Sequence, residues 1–127
     1  MEKRITIGNR VISEDSPAFI IAEMSANHNM DFDRAVAIMQ AAKDAGADAI
    51  KIQTYTADTI TLDCDDPCFQ ITQGTLWDGT TLHKLYETAY TPWEWQPKLK
   101  KIAEEMGLIF FSSPFDLSAV DFLEEMN

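Results

Sequence analysis

The amino-acid sequence predicts an α/β fold built on a parallel sheet. Three apolar runs end abruptly in polar residues: Ala18-Phe19-Ile20-Ile21-Ala22 before Glu23, Ala47-Asp48-Ala49-Ile50 before Lys51, and Leu108-Ile109-Phe110-Phe111 before Ser112-Ser113-Pro114. Runs this short and apolar fit strands buried on both faces. Two of them follow a glycine, Gly46 or Gly107, that closes an amphipathic stretch. Strand, helix, glycine, strand is the order of a βαβ unit.

Each element has its own signal. In the arm of residues 1–17, Ile5, Ile7, Val11 and Ile12 flank the turn Gly8-Asn9-Arg10, which predicts a short β-hairpin. After the first strand, Ser25-Ala26-Asn27-His28-Asn29 reads as a polar loop. Phe32, Ala35, Val36 and Met39 recur at helical spacing, so a helix is expected over 33–45, capped by Asp31 or Asp33 and stopped by Gly46. Thr91-Pro92-Trp93-Glu94 reads as a capping box with proline at the first helical position. The helix it opens places Trp95, Leu99, Ile102, Ala103 and Met106 on one face before Gly107. A last helix over 117–126 turns Ala119, Phe122, Leu123 and Met126 to one side. Between the second strand and the second long helix lies an insertion at about residues 54–90, with short helical potential over 82–89. Residues 18–127 thus read as about three βα units. Insertions at the C-terminal ends of parallel strands usually shape ligand pockets.

At 127 residues the chain suffices for one domain with a real core. A formal charge of −11 argues against nucleic acid or an anionic membrane as partner. No stretch approaches the roughly 18–20 apolar residues of a membrane span, and the N-terminus lacks a secretory apolar region. Cytoplasm is the expected location. Cys64 and Cys68 read as free thiols, because a redox pair has two residues between its cysteines and a metal site would need further ligands nearby.

Three parallel strands cannot close a barrel, and an open doubly wound sheet normally has more strands. The expectation is the N-terminal part of a longer protein, the alternative being a partner chain over an exposed sheet edge.

Five segments, in order along the chain, carry a resemblance: Ile20-Ile21-Ala22-Glu23-Met24-Ser25-Ala26-Asn27-His28-Asn29, Ala45-Gly46-Ala47-Asp48-Ala49-Ile50-Lys51-Ile52-Gln53-Thr54-Tyr55, Gly74-Thr75-Leu76-Trp77-Asp78-Gly79, Ala89-Tyr90-Thr91-Pro92-Trp93-Glu94-Trp95, and Phe111-Ser112-Ser113-Pro114-Phe115-Asp116. They resemble the N-terminal part of the sialic acid synthase-type family, and the third and fourth favour its pseudaminic branch over the N-acetylneuraminate branch. The resemblance implies a (β/α)8 TIM barrel, of which this chain supplies the first units, in a homodimeric enzyme. It implies condensation of phosphoenolpyruvate with an open-chain amino sugar, a 2,4-diacetamido-2,4,6-trideoxy hexose in the pseudaminic branch, giving a nine-carbon sugar acid and phosphate. It also implies a divalent metal, Mn or Mg, whose histidine ligands belong to later strands, as does a second phosphate-binding Lys-Ser segment.

The resemblance gives roles to residues at the strand ends. Glu23 matches the strand-end glutamate, a carboxylate suited to steadying an oxocarbenium ion, orienting water or holding sugar. Its alternative is a structural salt bridge, with Lys51 as partner. Lys51 and Gln53 match a Lys-x-Gln pair and, two apart on a strand, face the same side. They are assigned to phosphoenolpyruvate. Ser113, where many relatives carry Thr, offers a hydroxyl to phosphate, or caps the turn before Pro114. Asn27 and His28 lie beside Glu23 in sequence and are candidate sugar contacts, His28 equally a loop residue without chemistry. Tyr55 is a candidate pocket wall. Trp77, Trp93 and Trp95 read as packing anchors. Such a chain is expected to lack synthase activity alone. The competing readings are a neuraminic or legionaminic specificity within the same family, a non-catalytic partial-barrel binding module, and a Schiff-base lyase at Lys51.

Overall fold

A computed structural model describes residues 3–126. Met1, Glu2 and Asn127, the outer ends of the two predicted segments, lie outside the described residues.

The arm forms a hairpin, β1 (Ile5–Ile7) antiparallel to β2 (Arg10–Ile12), with Ile7 opposite Arg10 across the turn. Gly8 adopts φ +58° there, and a Cβ on it would sit 3.0 Å from the Ile109 side chain. The hairpin is tied to the sheet by the Arg10–Asp48 ion pair, and the second Asp48 oxygen accepts from the Ile20 amide at 2.8 Å.

Three strands form the sheet, β3 (Ile21–Glu23), β4 (Ala49–Thr54) and β5 (Ile109–Pro114), in the order β3-β4-β5 and all parallel. Helix α1 (Phe32–Asp44) connects β3 to β4, with Asp31 accepting from the Arg34 amide at its start. Gly46 at φ +88° ends α1, and the Ala47 amide then closes on Ala42 O at 3.0 Å. Gly107 at φ +76° ends α4 (Gln96–Glu105) in the same way, with the Leu108 amide on Ala103 O at 2.8 Å. Helix α5 (Leu117–Met126) follows β5. Its start is capped by Asp116, which accepts from Ser118 and from the Ala119 amide.

The core lies on one face of the sheet. Met24, Ile50, Ile52 and Leu108 pack there against Ala35 and Met39 of α1 and Leu99 and Ala103 of α4. Only β4 is covered as the apolar runs predict. Ile20 and Ile21 are half exposed and Phe111 is exposed, because β3 and β5 are the edges of a three-stranded sheet and their second face carries no helix. Burial on both faces is therefore corrected to burial on one face, with β4 alone paired on both sides.

The insertion is more ordered than its sequence suggests. It holds α2 (Ala57–Ile60), a 3₁₀ turn over Pro67–Phe69 and α3 (Leu82–Tyr86), and the bridge Gln70–Thr81 closes its long loop. The predicted capping box at Thr91 is absent. Trp93–Trp95 form a 3₁₀ turn that leads into α4, and the Thr91 hydroxyl, almost fully buried, is spent elsewhere. Cys64 and Cys68 are free. No helix among the described residues is long and apolar enough to cross a membrane.

Candidate functional site

The register of the three strands decides which side chains share a face. Glu23 stands opposite Lys51, and Gln53 opposite Ser113. Paired residues of neighbouring strands point the same way and residues two apart on a strand do too. Glu23, Lys51, Gln53 and Ser113 thus occupy one face, opposite to that of Ile50, Ile52 and the helices. Glu23 ends β3, Gln53 and Ser113 stand one residue before the ends of β4 and β5, and Lys51 lies in mid-strand in β4 beside Glu23.

Side-chain contacts join them. The Lys51 ammonium forms an ion pair with Glu23 Oε2 and donates to Ser113 Oγ at 3.4 Å. The other Glu23 oxygen accepts from the Ser25 amide at 3.1 Å, so this carboxylate links the end of β3 to the loop after it. The salt bridge considered for Glu23 therefore forms, and it forms at the rim. Lys51 is about a quarter exposed and Glu23 about a third, which leaves both within reach of a ligand.

Beside this cluster opens a cavity of about 420 Å³. Gln53 and Tyr55 come to it from β4 and the residue after it, Ser25, Ala26 and Asn27 from the loop after β3, and Phe115 from the segment after β5. The insertion supplies Ile60, Trp77 and Leu85. Glu23, Lys51 and Ser113 adjoin Gln53 on the same face without lining the cavity. Of the seven predicted site residues, the structure brings six to this region.

His28 is the exception. Its side chain is fully buried. Its Nε2 lies 3.0 Å from Thr91 Oγ1, its Nδ1 accepts from the Met30 amide at 3.2 Å, and its ring meets Trp95 edge-on at 5.4 Å. Burial holds its pKa below the usual histidine value. The expectation that His28 touches sugar is corrected: both ring nitrogens are engaged inside the protein. Asn27 keeps its place at the cavity, with its side-chain nitrogen donating to Met24 O.

Tyr55 is buried, donates its hydroxyl to Ala89 O, and meets Tyr86 and Phe115 edge-on at 5.4 Å. Burial, with Tyr86 beside it, pushes its pKa up to about 12. It fastens the end of the insertion to the sheet and walls the cavity. The tryptophans divide. Trp95 packs on the core beside Phe32, and Trp93 donates to Tyr55 O and lies against Phe122. Trp77 is half exposed at the cavity rim, so it is no packing anchor. Sequence reasoning passed over Ser25, Phe115 and the apolar residues of the insertion. Phe115 was within reach, since it continues the two-residue period of Phe111 and Ser113.

Among the described residues, no group of three His, Cys, Asp or Glu side chains is placed to hold a metal ion. His83, the second histidine, is held in the insertion by Asp58 at 2.8 Å, with Asp63 nearby.

Comparison with known proteins shows the family. The chain is 48% identical over 121 residues to the pseudaminic acid synthase of Campylobacter jejuni, covering 95% of this chain and 34% of that protein. It is 46% identical over 111 residues to the pseudaminic acid synthase of Helicobacter pylori, covering 87% of this chain and 32% of that protein. Among solved structures, the N-acetylneuraminic acid (sialic acid) synthetase of Leptospira borgpetersenii, in complex with citrate, superposes with a TM-score of 0.80 at 28% identity, over 100% of this chain and 39% of that one. The chain thus spans about a third of the length of the curated relatives it matches. Residues 38–127 match the NeuB family, and the chain belongs to that family.

Proposed function

We propose that this chain is the phosphoenolpyruvate-holding N-terminal part of a pseudaminic acid synthase, its three βα units forming the start of a TIM barrel within a homodimeric enzyme. The observation that carries the reading is the single sheet face on which Glu23, Lys51, Gln53 and Ser113 stand together. The identities of 46–48% to pseudaminic acid synthases favour that sugar specificity.

Each residue has a task that its chemistry suits. The Lys51 ammonium offers positive charge to a phosphate or carboxylate. Glu23 already offsets part of that charge, so donors from Gln53 and Ser113 are needed beside it to hold an anion. The enol carbon of phosphoenolpyruvate then attacks the aldehyde of the open-chain sugar, water adds to the resulting oxocarbenium ion, and phosphate leaves by C–O cleavage. Glu23 would steady that cation and orient water. Asn27 and Tyr55 line the cavity and would meet the sugar there. The divalent metal implied by the family has no donor set among the described residues.

Calorimetric titration with phosphoenolpyruvate tests the reading. The chain should bind, and Lys51→Ala should weaken binding by about tenfold or more, the loss expected when a charge-assisted hydrogen bond is removed. Equal affinity of the two proteins would contradict it.

A further inference from the structure

The geometry points to His28 as a positioning residue that acts through Thr91 and Ser25 to hold the Glu23–Lys51 pair in place. A continuous set of contacts leads from one to the other. The Met30 amide donates to His28 Nδ1 at 3.2 Å, so that nitrogen carries the lone pair. The neutral ring then bears its proton on Nε2, which donates to Thr91 Oγ1 at 3.0 Å. Thr91 has one hydroxyl proton, and it goes to Ser25 O at 3.3 Å. The amide of the same Ser25 donates to Glu23 Oε1 at 3.1 Å, and Glu23 Oε2 pairs with Lys51. The Met30 amide, His28 Nε2, the Thr91 hydroxyl and the Ser25 amide each donate to one acceptor in this sequence.

The backbone shows why such a device is needed. Ser25, Asn29 and Met30 have φ of 52°, 51° and 56°. Left-handed conformations in residues with a Cβ are unfavourable and persist only where the surroundings impose them. Ser25 is held from both sides, its carbonyl by Thr91 and its amide by Glu23. Met30 is held by His28 itself. The histidine thus fixes the loop that carries Ser25, Ala26 and Asn27 to the cavity.

The neutral imidazole is essential to this role. A proton on Nδ1 would face the Met30 amide, donor against donor. The groups that bond to the ring or pack on it edge-on are Thr91, the Met30 amide and the Trp95 indole, none of them charged. The nearest acid in sequence, Asp31, accepts from the Arg34 amide at the start of α1. Burial alone lowers the His28 pKa, so the neutral form persists below the pH at which an ordinary histidine charges.

Only the link to catalysis rests on the function proposed above; the tautomer and the loop geometry belong to the unliganded chain. Two-bond ¹H–¹⁵N correlation spectra of histidine-labelled protein at pH 7.5 should show His28 protonated at Nε2 alone, and the second proton should be taken up at a pH below that of an ordinary histidine. The opposite tautomer, or an imidazolium at pH 6.5, would overturn the proposal. His28→Phe keeps a ring against Trp95 but has no donor, and should speed exchange of the Asn27 and Met30 amides about tenfold, the worth of one buried hydrogen bond, while shifting the Ser25 and Glu23 signals. His28→Gln can still donate to Thr91 and should restore Ser25 and Glu23 toward their native positions. Signals of Ile50 and Ile52 report whether either variant has unfolded, and if one has, the wild-type tautomer decides. Equal displacement of Ser25 by Phe and Gln, with β4 intact, would make the histidine a packing residue only. Adding phosphoenolpyruvate separately reads Lys51, Gln53 and Ser113, so failure there counts against the proposed function and not against the relay.

Discussion

Tyr55 and Thr91 show how single polar atoms hold this site in shape. Tyr55 keeps its hydroxyl proton because ionisation in its buried position would leave a phenolate without water. Its pKa of about 12 stands above the ordinary value near 10, so its neutral form stabilises the fold up to the ordinary value, and that stability is lost as pH rises from there through the folded value. Absorbance titration at 295 nm should show a component near pH 12 that Tyr55→Phe removes; its persistence in the variant would assign it elsewhere. Thr91→Val keeps the shape of the side chain but leaves the Ser25 carbonyl and the His28 Nε2–H without their partner. Urea denaturation should register a loss of about 1–3 kcal/mol, and Thr91→Ser should recover most of it. No sequence signal announced this role. Thr91 fits a capping box by local spacing, but its partners are 63 and 66 residues away, and local patterns carry no information about such pairs. His28 was misplaced for the same reason: a histidine in a polar pentapeptide reads as exposed until Thr91 and Trp95 are seen around it.

At the scale of elements, the two glycine joints and the central strand were legible because their causes are local. Gly46 must adopt φ +88° to let the chain leave α1 and enter β4 at once. Gly46→Ala should cost about 1–2 kcal/mol, the penalty of a left-handed residue with a Cβ, read as a lower urea midpoint with an unchanged slope. The alternation of Lys51, Gln53 and Tyr55 against Ile50, Ile52 and Thr54 was readable from period two alone. On the core side Thr54 donates to Gln96 Oε1 at 2.7 Å and meets Ser112 Oγ at 2.6 Å, which fixes the spacing of β4, β5 and α4. The insertion was harder to read, since its short helices are stabilised by contacts between them. His83 of α3 reaches Asp58 of α2, and that hydrogen bond, helped by Asp63 and Glu87, raises its pKa above the usual value. The sign follows from linkage: the charged form is favoured in the fold, so this clip is fully present below the ordinary histidine pKa and is lost as pH rises through the raised one. An imidazole titration followed by NMR should show His83 titrating above an ordinary histidine, and Asp58→Asn should bring it down. An unchanged midpoint would remove the clip from the account.

For the whole molecule, one face of the sheet is buried under α1 and α4 while the other displays Glu23, Lys51, Gln53 and Ser113 next to exposed Ile21 and Phe111. Apolar runs such as Ile20-Ile21 have the composition of covered strands, which is why the sequence predicts burial on both faces; exposure depends on how many strands pair beside them, and that is not written in the run itself. The candidate site survives this difference because its residues depend on register within three strands. With about a third of the length of its curated relatives, the chain should release no phosphate from phosphoenolpyruvate and sugar in the presence of Mn or Mg, and release above that of Lys51→Ala would contradict this. The most direct test of the central claim is an NMR titration of the ¹⁵N-labelled chain with phosphoenolpyruvate. The account predicts saturable shifts gathered at Glu23, Lys51, Gln53 and Ser113, with a midpoint moved to about tenfold or more higher ligand in Lys51→Ala; shifts scattered over distant surfaces, or none at these four residues, would contradict it.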